Sequence, residues 1–177
     1  MSETLTARVE TRPIRLPTGP LAWQRTAVTG TELVFADTGS AEGTAVVTGS
    51  RPHTVQWRAE LAEDATVTAL RVSCLGKDLH LTRDDGLGTD VIPRLADSPV
   101  FVTWAINRLG LTVGSGAVRA PSLRILTPSL ETVPGTATYH LVSPNRLRIT
   151  GDGPAVTYEV DDAGLVTYQP GNLRLVR

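Results

Sequence analysis

Between His53 and Leu61 the chain alternates without a break: Val55, Trp57, Ala59 and Leu61 are apolar, while Gln56, Arg58 and Glu60 between them are polar. A side-chain period of two describes a strand with one dry and one wet face. The pattern returns in Leu70, Val72 and Cys74 against Arg71 and Ser73, and in Leu79 and Leu81 against Asp78, His80 and Thr82, with a turn expected at Gly76 and Lys77. It tightens further on: Tyr139 and Leu141, then Leu147 and Ile149, then Val156, Tyr158 and Val160 each alternate with polar neighbours.

Ser143-Pro144-Asn145, Gly151-Asp152-Gly153 and Asp161-Asp162-Ala163-Gly164 connect these later stretches, all with turn chemistry. Connections this short join antiparallel neighbours, because parallel strands need crossovers of about a dozen residues or more. Helix signals are nearly absent. The expected fold is therefore all-β, an antiparallel meander of roughly a dozen strands with at most one or two short helices. So many strands do not stay in one flat open sheet, so a barrel, a rolled sheet or a sandwich follows. No repeat of fixed period suggests a propeller or a solenoid.

One stretch resists the pattern. From Val100 to Leu111 the chain has no turn residue before Gly110, and its apolar residues follow neither period clearly. We expect a strand running into an irregular turn there, with a short helix as the alternative.

At 177 residues the chain fits one hydrophobic core. We expect a polar N-terminal tail or edge segment over residues 1–20, broken by Pro13, Pro17 and Pro20, and a single domain over residues 21–177. Cys74 is the sole cysteine, so no internal disulfide forms, and its place on an alternating stretch makes it a small buried hydrophobe. Seventeen basic residues face eighteen acidic ones, with no basic run. Neither nucleic acid nor an anionic membrane surface is then an expected partner. The first residues lack the apolar core of a secretory signal, and no apolar run approaches the roughly 18–20 residues needed to span a bilayer. The expected location is the cytoplasm.

No catalytic constellation emerges. Val113-Gly114-Ser115-Gly116 lacks the spacing of a nucleophile elbow, and no glycine-rich phosphate loop is present. His53, His80 and His140 lie far apart, the latter two on polar strand faces, and Asp84-Asp85 and Asp161-Asp162 sit in turns. An enzyme built on Asp85, His80 or His140 would lack a nucleophile beside a base. The reading is a non-enzymatic protein with no catalytic residue, metal or cofactor. Aromatic residues are scarce at 5%, so Trp23, Trp57, Trp104, Tyr139, Tyr158 and Tyr168 each carry weight, as core or as cavity lining; Trp57 reads as plain core.

The C-terminal stretch VDDAGLVTYQPG, Val160 to Gly171, resembles the ending of the bacterial putative glycolipid-binding family, which closes with an acidic turn, Gly-Leu-Val and Tyr-Pro-Gly. Here Gln169 is inserted before Pro170. Leu79 to Gly86 is similar to that family's hairpin before its central segment, and Ile106 to Leu111 to its Ile-Arg-Arg-Leu-Gly-Leu element, so the likeness covers roughly residues 50–177. The chain departs from the family pattern at Leu95 to Trp104. The resemblance implies a spiral β-roll or half-open barrel, similar to lipoprotein-carrier folds, that binds a lipid or glycolipid in its interior. Trp104, Asn107 and Arg108 would stand at the mouth, with Tyr139, Tyr158 and Tyr168 on nearby strands. The alternative is a solidly packed scaffold or protein-interaction domain without a small-molecule ligand. An apolar cavity above about 300 Å³ separates the two.

Overall fold

The alternating stretches fold where their periodicity places them. A computed structural model describes residues 16–96, 98–151 and 153–176, so the first fifteen residues of the expected tail lie outside the described residues. Six strands form a first meander: β1 (Gly19–Arg25), β2 (Gly30–Asp37), β3 (Ser40–Val47), β4 (His53–Leu61), β5 (Val67–Cys74) and β6 (Lys77–Thr82). The stretch read from His53 to Leu61 is β4 residue for residue, with Val55, Trp57, Ala59 and Leu61 buried and their neighbours exposed. Cys74 is buried and free, and burial pushes its thiol up. The turn into β6 falls at Leu75 and Gly76, one residue earlier than expected. Both have positive φ, 49° and 73°, as a two-residue hairpin matched to strand twist requires, and Lys77 already pairs with Cys74.

Beyond the middle run β7 (Ile92–Leu95), β8 (Ala117–Ile125), β9 (Thr132–Ser143), β10 (Arg146–Gly151), β11 (Gly153–Val160), β12 (Val166–Gln169) and β13 (Leu173–Val176). All thirteen belong to one sheet, ordered β6-β5-β4-β3-β2-β1-β13-β12-β11-β10-β9-β8-β7. The first and last strands join the two meanders at its centre, through pairs such as Trp23 with Leu175. Its outer edges are β6 and β7. The turns read at 143–145 and 161–164 are present, the second closed by Asp161 Oδ1 accepting from the amides of Ala163 and Leu165.

The segment from Val100 onward corrects the sequence reading. It is a helix, α1 (Val100–Arg108), rather than a strand. Its seven residues from Val100 to Ile106 are all buried, Thr103 among them. A helix enclosed on every side has no polar stripe and so carries no 3.6-residue signature to distinguish it from a buried strand. The crossover containing it explains why β7 and β8 are paired in parallel, against the antiparallel rule of the rest of the sheet.

Strands of both meanders hold α1. Phe101 and Trp104 meet Trp57 of β4 edge to face, with ring centroids 5.1 and 5.8 Å away, and each other at 4.9 Å. Each such pair contributes about 0.5–1.5 kcal/mol beyond the area it buries. On the other side Thr103 Oγ1 accepts from the Val166 amide at 3.1 Å, and Trp23 Nε1 donates to the Val166 carbonyl at 2.8 Å. Val166 lies where the β11–β12 register shifts, so side chains take over the hydrogen bonding at that interruption. The sheet thus curls around the helix, and the dry faces of its strands and α1 share one core.

Candidate functional site

The three candidates on α1 are all engaged with the protein itself. Trp104 is 2% exposed, inside the aromatic trio. Asn107 Nδ2 donates to the Thr103 carbonyl at 2.9 Å, one helical turn back. Arg108 pairs with Asp64 at 3.1 Å and sits 3.9 Å from Asp90. The Thr66 hydroxyl, and more weakly the Arg108 charge, hold the Asp64 carboxyl below its usual range. Trp104 and Arg108 border a crevice of about 10 Å³.

The tyrosines separate. Tyr168 is half-buried and paired across strands with Glu159 and Arg174. Tyr139 is fully buried, and its hydroxyl has no hydrogen-bond partner. Burial pushes that phenol up, while the Arg94 charge and the nearby Ser122 hydroxyl pull the other way and Tyr158 adds slightly to the rise. Tyr158 is buried and lines a cavity of about 220 Å³ between the start of α1 and the strands around it. It is the one residue of the six candidates that reaches this space.

Arg94, Arg124, Ser98, Gln169 and Asn172 supply the other polar groups of the cavity wall, and Phe101, Val102 and Ile125 supply apolar surface. Asn172 Nδ2 donates to Gln169 Oε1 at 2.8 Å, which holds both amides at the rim. Ser98 Oγ donates to Glu32 Oε1, which also accepts from Trp57 Nε1 at 3.1 Å. Glu32 is 1% exposed on the dry face of β2, so a carboxylate inside the roll ties the strand wall to the segment that enters α1. Sequence reasoning missed Arg94, Arg124, Ser98 and Glu32. Each looks like an ordinary polar residue among apolar ones, and only the βαβ crossover brings the first three together. Both departures from the family pattern, Leu95 to Trp104 and Gln169, contribute to this wall.

A larger hollow, about 410 Å³, lies elsewhere, against the outer face of β2 to β5. Leu33 and Phe35, 41% and 52% exposed, meet Glu42, Arg58 and Arg71 there. His80 is exposed and His140 half-buried. Among the described residues no three His, Cys, Asp or Glu side chains lie close enough to hold a metal ion, and no helix is long and apolar enough to cross a membrane.

These features define a class of protein: an open antiparallel sheet rolled around one buried helix, with a small polar cavity at the helix's entry. The fold is similar to that of a DUF1089 family protein from Pseudomonas aeruginosa known from a crystal structure, with a TM-score of 0.68, 21% identity, and coverage of 89% of this chain and 92% of that one. Residues 90–174 match the model of the family described as "Putative glycolipid-binding". The resemblance read from the C-terminal motifs is borne out over that stretch, which is shorter than the expected residues 50–177 and leaves out the Leu79 to Gly86 hairpin. No curated protein matches the chain.

Proposed function

We propose that the chain binds a glycolipid without transforming it, and that the sugar-bearing head group sits in the cavity at the entry of α1. One observation carries this reading. Every residue lining that cavity, from Arg94 to Asn172, falls inside the stretch matching the glycolipid-binding family, whereas the outer hollow is lined by residues 33 to 73, all outside it. With α1 in place the cavity is smaller than the roughly 300–1,000 Å³ of a site that encloses a whole drug-sized ligand. It suits a head group, and the acyl chains then remain outside this seat. Amides and a phenol beside apolar surface are the groups that orient a sugar ring.

The test is native mass spectrometry of the purified chain, with titration of galactosyl diglyceride and of a free fatty acid. The glycolipid should bind and the fatty acid should not, and Asn172→Ala should weaken glycolipid binding about tenfold, as expected for a lost hydrogen bond inside a site. Equal binding of both ligands, or of neither, would overturn the assignment. The second reading, a packed scaffold that docks another protein, draws on the filled interior and on the apolar Leu33 and Phe35 in the outer hollow.

A further inference from the structure

We infer that the head group taken by this cavity is anionic, a phosphate ester or similar oxyanion, and that Arg94 and Arg124 are the side chains that bind it. This rests on the glycolipid reading above and narrows its ligand class. The two arginines are register partners on the parallel strands β7 and β8, so their side chains leave the sheet side by side on one face. Both are half-buried and both line the cavity. Like charges directly opposite each other across two strands are destabilising, and a chain normally separates them or places a carboxylate between them. Among the described residues neither Arg94 nor Arg124 has an ion pair.

A helix end also meets this cavity, and the carboxylate tied to its wall, Glu32, is held by Ser98 Oγ and Trp57 Nε1. Pro99 and the first turn of α1 open onto the cavity, with no side chain capping the turn and no acidic residue within it, so the positive end of the helix faces the same space. Tyr158, Gln169 and Asn172 add to the lining groups suited to sugar hydroxyls rather than to charge. Two guanidinium forks beside neutral polar groups match a sugar phosphate in both its parts.

Isothermal titration of the full chain at low salt with glucose 1-phosphate, glucose and inorganic phosphate, alongside vesicles containing galactosyl diglyceride or phosphatidylinositol, tests this. Glucose 1-phosphate should bind at least tenfold more tightly than glucose, and phosphatidylinositol vesicles more tightly than galactosyl diglyceride vesicles. Arg94→Gln and Arg124→Gln should each remove that preference. Because each substitution also relieves a like-charge contact, the free variants should melt no lower than the parent chain, whereas arginines needed only for folding would lower the melting temperature.

Inorganic phosphate binding as tightly as glucose 1-phosphate, with no vesicle preference, would mark a free-phosphate site and overturn the head-group assignment. Galactosyl diglyceride binding without any preference for the anionic probes, or a preference for them that persists undiminished in both variants, would overturn the anion inference and leave the glycolipid reading standing. Binding of none of these probes would overturn both.

Discussion

The two meanders are made of the same kind of strand yet do different work. In the first, β2 and β3 pair over eight consecutive residues without a slip, β3 and β4 do the same, and a single register shift appears at Glu60/Leu61. In the second, shifts occur at Arg146/Leu147, Ile149/Gly151 and Glu159/Val160, the edge strand runs parallel, and a helix interrupts the sequence of strands. Unbroken register gives a stiff wall whose dry face is fully used for packing. Each interruption re-aims side chains and frees backbone groups for side chains to satisfy. The cavity at the entry of α1 lies within this irregular half.

If the contrast is right, α1 is the pillar on which both halves lean. Phe101→Ala should then give the largest loss of stability, about 3–5 kcal/mol, because it removes a fully buried ring touching both Trp57 and Trp104. Chemical denaturation followed by circular dichroism measures it. A loss under about 1 kcal/mol would mean the wall stands without the helix.

The wall has its own sensitive point at Gly43. A Cβ there would lie 2.4 Å from ring carbons of Trp57, whose indole covers this glycine, so Gly43→Ala must displace the ring. The expected cost is about 1–3 kcal/mol. A larger cost than that of Phe101→Ala, in the same denaturation experiment, would reverse the ranking of wall and pillar.

The smallest effect is a gain. Leu75 has φ of 49° and is 62% exposed, so it holds a left-handed turn position without packing in return. Leu75→Gly should raise the stability by up to about 1 kcal/mol. A decrease in the thermal midpoint would show that the hairpin owes its shape to the leucine side chain.

Three strands of each half were legible in the sequence, β4 to β6 and β9 to β11, whereas β1 to β3 were not read individually. β4 was read residue for residue from its alternation, and the later hairpins from Pro144-Asn145 and the acidic turn at 161–164. The placement of the Leu75-Gly76 turn slipped by one residue, since leucine is an unexpected residue at positive φ. The candidate site was far less legible. Trp104, Asn107 and Arg108 are drawn into packing, a helical hydrogen bond and ion pairs, and of the tyrosines it is Tyr158 that lines the cavity. Arg94 and Arg124 are thirty positions apart, and nothing local to either shows that they are neighbours.

Alternation and turn chemistry, which act between adjacent residues, are enough to determine that this chain makes an antiparallel sheet and where β4 to β6 and β9 to β11 lie. They could not decide what Val100 to Ile106 becomes, because a segment buried on every side shows no periodicity until the sheet has closed around it. The parallel β7–β8 pair, the arginines it sets side by side and the cavity at the entry of α1 all follow from that helix. They rest on contacts between distant residues, which only the tertiary structure supplies.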